Sequence, residues 1–310
     1  MTSEQTLQTI IVGTRGSLLA TTQTAQTVRA IQNSNTDVHI ETKIIQTTGD
    51  LRRDVPFASV GTKGMFVKEI EQALLDGAID IGIHSMKDMP GELPSGLQIA
   101  CIPERENPFD AFISNGFSDL DSLPIGATVG TSSARRRAQI SRYRPDLKLI
   151  ELRGNLDTRL RKLDDGAYDA IVVACAGLKR LGLETRITSC IPPEVCLPAV
   201  GQGALAIETR EMDLTTIECV RKVHSEQTAR CVLAERLVLT ALGGGCSVPI
   251  AAFATESNSR LTLTALVASL DGSTLVSTVE TGASVDFASI GVRAASSLLD
   301  SGASDLLAHS

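Results

Sequence analysis

Two short stretches constrain this chain more than anything else in it: Asp76-Gly77-Ala78-Ile79-Asp80 and Asp165-Gly166-Ala167-Tyr168-Asp169. Each follows a helix-like segment and leads into an apolar run, residues 79–83 in one case and 170–174 in the other. A second repeated element lies upstream. Val12-Gly13-Thr14, Val60-Gly61-Thr62 and Val129-Gly130-Thr131 each precede a predicted helix, with Arg15, Lys63 or Arg135 just after. Glycine punctuates turns between helices and strands. Strands alternating with helices indicate parallel sheets. The recurrence therefore reads as two α/β domains of related build, one centred before Pro103 and one after Pro108.

The intervening pattern fills in this plan. Residues 9–13 form a short buried strand, followed by an Ala/Thr/Gln-rich helix and an alternating strand over 38–45. After Gly64, Phe66, Ile70, Ala73 and Leu74 recur by three and four and predict one apolar helix face, which Asp76-Gly77 ends. Residues 197–203 are a crossing segment back toward the first domain. Helices are expected near 213–223 and 227–241, then strands at 249–255, 260–269 and 274–281, with a hairpin turn at Asp271-Gly272, and a helix near 285–300. The expected domains are 1–103 with 200–222 (α/β), 104–199 (α/β) and 223–310 (a small α+β domain).

Composition excludes several function classes. The 310 residues carry no Trp and only 3% aromatics, too few for the stacking platforms that bind single-stranded nucleic acid. No apolar run approaches the roughly 20 residues that span a bilayer, so no membrane role is expected. The start lacks a signal or Arg-rich transit pattern; the cytoplasm is the expected location, or a plastid if a transit peptide has been removed. Seven scattered cysteines without CxxC spacing, and four histidines without helical pairing, argue against a disulfide framework and a metal site.

The net charge of −7 hides an asymmetry. Residues 131–162 hold ten Lys or Arg against three Asp or Glu, a local +7 that leaves −14 on the rest. A basic cleft can bind an anion on an acidic protein. The cations in question are the arginines of Arg135-Arg136-Arg137, Arg153 in Leu152-Arg153-Gly154-Asn155, and Arg159 with Lys162 on the next helix. Arg pairs with a carboxylate through two parallel hydrogen bonds, each charge-assisted bond contributing about 1.5–3 kcal/mol. Any one of these cations alone reads as a solvated loop residue; together with Arg15 and Lys63 at the glycine turns they read as a multi-anion site. The same arginines would also suit nucleic acid, a rival that the acidic remainder and scarce aromatics weaken.

Two other features carry chemistry. Asp88 follows the strand that leads into His84-Ser85-Met86-Lys87-Asp88, where open α/β sheets place ligands. It can stabilise a cation or move a proton, or merely pair with Lys87 at the surface. His84 reads as structural. The loop Gly243-Gly244-Gly245-Cys246-Ser247-Val248-Pro249 strips side-chain bulk from around a thiol. That loop suits either a reactive Cys246 or a small buried cysteine between a helix and a strand.

Taken in order, Thr14-Arg15-Gly16-Ser17, Gly61-Thr62-Lys63-Gly64-Met65-Phe66, His84-Ser85-Met86-Lys87-Asp88, Gly130-Thr131-Ser132-Ser133-Ala134-Arg135-Arg136, Leu152-Arg153-Gly154-Asn155, residues 197–203 and Gly244-Gly245-Cys246 resemble the porphobilinogen deaminase (hydroxymethylbilane synthase) family over essentially the whole chain. The resemblance implies two periplasmic-binding-protein-like α/β domains and a small α+β domain. It implies a transferase that deaminates porphobilinogen and polymerises it into linear hydroxymethylbilane, for haem and other tetrapyrrole synthesis. The primer would be a dipyrromethane cofactor bound by a thioether to Cys246.

By the same resemblance, Asp88 is the catalytic aspartate, with Arg15, Arg153 and Lys87 beside it. Lys63, Lys87, Asp88, Thr131, Ser133, Arg135, Arg136, Arg153 and Gly154 would hold the cofactor. Arg15, Ser17, Phe66, Arg153, Arg159 and Arg180 would hold substrate. The protein would act as a monomer and pass its product to uroporphyrinogen-III synthase. Ser59 departs from members that carry a lysine in that loop. Two rivals predict otherwise: an anion-binding protein of the periplasmic type gives Cys246 no role, and a cysteine hydrolase needs a histidine partner that the sequence does not offer.

Overall fold

The computed structural model describes residues 8–47, 67–244 and 248–308. The chain folds as two compact units, residues 1–104 with 204–229 and residues 105–203 with 230–310.

The first unit is a five-stranded sheet with helices. Its strands are β1 (Gln8–Arg15), β2 (Val38–Ile45), β3 (Ile81–Ser85), β4 (Leu97–Cys101) and, much later in the chain, β10 (Leu205–Arg210). The order is β2-β1-β3-β10-β4. β1 runs parallel to β2 and β3, and β10 is antiparallel to both of its neighbours. Helix α1 (Leu18–Ser34) starts at Ser17, whose hydroxyl accepts from Ala20 N at 3.3 Å and so satisfies a donor otherwise orphaned at a helix start. Helix α2 (Lys68–Leu75) buries Ile70 and Leu74, the spacing expected from the sequence. Helix α6 (Leu214–Arg221) packs Val220 with Ile207, Ile83 and Val12 in the core.

The second unit contains the same plan again. β5 (Asp110–Ile113), β6 (Thr128–Gly130), β7 (Lys148–Ile150), β8 (Ala170–Ala174) and β9 (Ser189–Ile191) form a sheet in the order β7-β6-β8-β5-β9. β6 is parallel to β7 and β8, and β5 is antiparallel to its neighbours. Each sheet thus takes one antiparallel strand from a segment that follows a crossover: β10 in the first unit, β5 in the second. Helices α3 (Ala134–Tyr143), α4 (Leu156–Asp164) and α5 (Cys175–Arg180) accompany the second sheet.

The repeated residues explain the repeated plan. Asp80 accepts from Ile11 N at 2.9 Å, and Asp169 accepts from Thr128 N at 2.7 Å; each thereby ties its own strand to the strand beside it. Gly77 and Gly166 reverse the chain at φ +68° and +77°, where a side chain would be strained. A Cβ on Gly13 would lie 2.4 Å from the Ile79 side chain, and one on Gly130 would lie 2.9 Å from that of Tyr168. Ile79 and Tyr168 are the fourth residues of the two repeated stretches.

The rest of the second unit is the small α+β part. β11 (Ile250–Ser257), β12 (Arg260–Ala268) and β13 (Leu275–Ala283) form an antiparallel meander. The core of that sheet is Ala252, Leu263, Ala265 and Val267, covered by Val238 of α7 (Glu226–Ala241) and by Ile290, Ala294 and Leu298 of α8 (Phe287–Asp300). A last short helix, α9 (Ala303–Ala308), follows. Glu235 of α7 is fully buried and fastens this part in place. It accepts from Arg105 at 2.6 Å, Gly201 N at 2.7 Å and Ala254 N at 2.8 Å. The hairpin turn predicted at Asp271-Gly272 is present, with Gly272 at φ +76°. Two α/β sheets and a C-terminal α+β layer are the fold class expected from the sequence.

Candidate active site

In the first unit, the chemistry collects at the carboxyl ends of β1 and β3. β1 ends at Arg15, and β3 ends at Ser85 and runs into a single 3₁₀ turn, Met86–Asp88. A cavity of about 70 Å³ lies there, lined by Arg15, Ser17, Gln23, His84, Ser85 and Asp88 among others. The structure therefore brings Asp88 together with Arg15 and Ser17, which lie more than 70 residues earlier in the chain. Lys87 and Asp88 are both half-buried on the turn. Lys63, Phe66 and Ser59 lie outside the described residues.

His84 is buried beneath this cavity, as a structural histidine would be, but its surroundings are acidic. Its Nε2 lies 3.0 Å from Glu208 Oε2 on β10. Gly82 makes room for the ring, since a Cβ there would stand 2.8 Å from that nitrogen. Glu71 of α2 is also buried. Burial, and then the negative Glu208, push its carboxyl above the usual range, against the pull of His84 and Lys68.

In the second unit, the +7 segment is organised around a carboxylate that the sequence reading missed. Asp110 on β5 is fully buried. Arg135 donates to it at 2.8 and 3.2 Å, and Arg136 at 2.7 and 3.0 Å. Gln202 adds a bond at 2.9 Å. Burial alone would raise this carboxyl, but the two guanidiniums overrule it and hold it well below the carboxylate range. Arg135 and Arg136, expected to hold the cofactor, are thus engaged with a carboxylate of the protein itself. Both are almost wholly buried and turned inward, because Asp110 needs a counter-charge in a dry sheet. Two cations on one anion leave the cluster positive.

The other expected residues lie on the loops after β6 and β7 and on helices α4 and α5. Thr131 is buried, and its hydroxyl accepts from Ser133 N at 3.3 Å. Ser133 caps α3, accepting from Arg136 N at 3.4 Å. Arg153 pairs with Glu151 at 2.7 Å, with both side chains partly in solvent, so that pair is weak. Gly154 sits at φ +111°, where only glycine is at ease. Arg159 donates to Gly154 O at 2.8 Å. Burial, and then the positive Arg136, pull Arg159 down to about 10. Arg180 donates to Gly203 O at 2.6 Å and is lowered by burial, with Glu106 opposing.

Cys246 lies outside the described residues, but its flanks are defined. α7 ends at Ala241, Gly243 turns at φ +61°, and β11 begins at Ile250. A Cβ on Gly244 would come within 2.2 Å of Ile250 Cδ1; close packing explains that glycine.

Among solved structures, the chain is similar to a periplasmic substrate-binding protein of an ABC transporter from Coxiella burnetii (TM-score 0.43, 16% identity, 71% of this chain and 95% of that one). Residues 10–218 match the family model described as porphobilinogen deaminase, dipyromethane cofactor binding domain, and residues 229–300 match the C-terminal domain of the same family. The chain is 47% identical over 298 residues to the porphobilinogen deaminase of Syntrophus aciditrophicus, covering 96% of this chain and 97% of that protein. It is 49% identical over 300 residues to that of Desulforudis audaxviator, covering 97% of each. With both family models matched in order and near-complete coverage of these relatives, the chain belongs to the porphobilinogen deaminase family.

Proposed function

We propose that this chain, as a hydroxymethylbilane synthase, uses Asp88 as its catalytic carboxylate and Cys246 as the thioether anchor of its dipyrromethane. The reaction deaminates porphobilinogen and joins the rings into linear hydroxymethylbilane. The observation that carries the assignment is the cavity at the ends of β1 and β3, where Asp88 shares one hollow with Arg15 and Ser17.

Ammonia loss from porphobilinogen leaves a methylene-pyrrole whose ring nitrogen carries developing positive charge. Asp88 accepts the pyrrole N–H and offsets that charge, a role that needs a fixed anion at the carboxyl end of a strand. Arg15 and the Ser17 hydroxyl hold the substrate's carboxylates at the same hollow. Lys87, adjacent on the turn, adds positive charge for the same arms.

The second unit suits a group that bears several carboxylates. The Asp110 cluster carries an excess positive charge, and the Nε of buried Arg135 has no hydrogen-bond partner among the described residues. Arg159 is held near Arg136 with a carbonyl rather than a carboxylate as its acceptor. Thr131, Ser133, Arg135, Arg136, Arg153 and Gly154, with Lys63, Lys87 and Asp88, are the residues we assign to dipyrromethane; Phe66, Arg153, Arg159 and Arg180, with Arg15 and Ser17, are those assigned to substrate. Arg135 and Arg136 act there through the field of their cluster. Dipyrromethane, when bound, supplies the free pyrrole α-carbon from which the chain grows.

Three further parts belong to this reading. The division into 1–103 with 200–222, 104–199 and 223–310 is supported by the three separate sheets. Cytoplasmic operation is supported by the bacterial relatives. A monomer that hands its product to uroporphyrinogen-III synthase follows from the family resemblance, and light scattering on eluted protein checks the first part of that.

Intact-protein mass spectrometry tests the anchor. The purified chain should carry two linked pyrrole rings, absent in Cys246→Ser, and should gain ring-sized increments with porphobilinogen. An adduct that survives in the variant removes Cys246 from the role. Asp88→Asn should keep the two-ring mass and lose about 10²–10³ in turnover; turnover near that of the parent would take the catalytic role from Asp88.

A further inference from the structure

The second unit contains a thiol pair that the reaction does not use. Cys175 Sγ and Cys190 Sγ lie 3.5 Å apart. Cys175 is fully buried where β8 passes into α5, and Cys190 is exposed on β9. The remaining described cysteines, at 101, 196, 219 and 231, are buried. An oxidant in solution therefore reaches this pair through Cys190, with Cys175 waiting behind it.

The position of the pair gives it leverage. β5 lies between β8 and β9, and Asp110 is in register with Ala174 on one side and Ile191 on the other. Ala174 and Ile191 are the chain neighbours of the two cysteines. The thiols thus flank the strand whose first residue holds Arg135 and Arg136. Asn107, just ahead of that strand, places its side-chain nitrogen 4.0 Å from Cys190 Sγ.

We propose that Cys175 and Cys190 are an oxidation site that disulfide oxidants close into an intramolecular disulfide, and that closure disturbs the Asp110–arginine cluster. In the first step the Cys190 thiolate attacks one sulfur of a small-molecule disulfide, forming a mixed disulfide and expelling one thiolate. In the second, Cys175 loses its proton to solvent and attacks the Cys190 sulfur, expelling the second thiolate. Two protein thiols are oxidised and one external disulfide is reduced to two thiols. Burial pushes the Cys175 thiol up, so the second step is the slower one. A disulfide bond needs about 2 Å between sulfurs; the β8–α5 junction and β9 must draw together across β5 to reach it.

The holoenzyme treated with oxidised glutathione tests this. A peptide map should show one new link, between the peptides carrying Cys175 and Cys190, with loss of two alkylatable thiols. Turnover should fall several-fold and return with dithiothreitol, while the two-ring mass stays in place throughout. Cys190→Ser should start with the parent's turnover, form no link and keep its activity. Cys175→Ser should stop at a stable glutathione adduct on Cys190. The site is overturned if the parent also stops at that adduct, or if Cys190 links to another cysteine. A linked protein with undiminished turnover overturns the coupling to Asp110. The turnover readout rests on the porphobilinogen reading, whereas the peptide map does not, so failure of one is distinguishable from failure of the other.

Discussion

The first and second sheets share a strand plan and bury opposite charge. Both place three parallel strands beside an antiparallel strand that arrives from a crossover. Both use an Asp–backbone bond and a bare glycine at matching places. Yet on β3 and β10 the first sheet gathers His84, Glu208 and, from α2, Glu71. On β5 the second gathers Arg135 and Arg136 around Asp110. In each case the antiparallel strand supplies a carboxylate, Glu208 or Asp110. What differs is its partner, one histidine in the first sheet and two arginines in the second. The backbone plan is therefore fixed by turns and close contacts. Charge is a separate layer, set by which residues face the inserted strand.

The most damaging way to break that comparison is to remove its central anion. Asp110→Asn leaves two guanidiniums buried without counter-charge, a loss of about 3–5 kcal/mol in denaturant unfolding. The pH dependence has a definite sign. Asp110 is lowered in the folded state, so its stabilisation is complete above the unfolded carboxylate value of about 4. It is lost as pH falls below that value, toward the lower folded one. The parent should therefore lose this contribution on acidification, and the variant should lack that part of the slope. A cost under about 1 kcal/mol would mean that the arginines find other partners, and that the second sheet does not depend on Asp110.

The next test concerns the shared plan. Gly13→Ala and Gly130→Ala put a methyl into equivalent contacts, 2.4 Å from Ile79 and 2.9 Å from Tyr168. Each should cost about 1–3 kcal/mol. Gly130→Ala should cost no less than Gly13→Ala despite the longer distance, because a tyrosine ring yields less readily than the end of an isoleucine. If only one substitution destabilises in thermal melts, the two sheets are not held together in the same way.

That plan was legible because its signals are local. Asp76-Gly77 and Asp165-Gly166 announce a helix end and a strand start within five residues, and the structure puts strands where those turns point. Asp88 is singled out by motif and strand position, Arg15 by its place after the Val12-Gly13-Thr14 turn, and Ser17 by the family motif alone; the three line one cavity. The charged framework was not. Asp110 is a single acid in the apolar run Phe109-Asp110-Ala111-Phe112-Ile113, and its arginines come 25 and 26 residues later. Glu208 stands 124 residues from His84. Glu235 is an acid inside the buried stripe of Cys231, Ala234 and Val238. In each case the one available signal is a carboxylate where the period demands an apolar side chain. Its partner is chosen by the tertiary fold, which short-range spacing does not encode. The same limit hid the pairing of Arg135 and Arg136 with Asp110.

The smallest of the three stability effects sharpens the acidic side of the comparison. Burial and Glu208 raise the Glu71 carboxyl in the folded state. Its contribution is therefore fully present below the unfolded value of about 4.3, and is lost as pH rises through the raised folded value. Glu71→Gln keeps the shape and removes that loss. The variant's melting temperature should gain on the parent's as the medium moves from acid to above neutral, with little difference at the acid end. A gap that stays constant with pH, or narrows as pH rises, would show that Glu71 does not titrate against Glu208. The first sheet's interior would then be a settled histidine–carboxylate pair, and the contrast with the second sheet would reduce to the presence or absence of arginine.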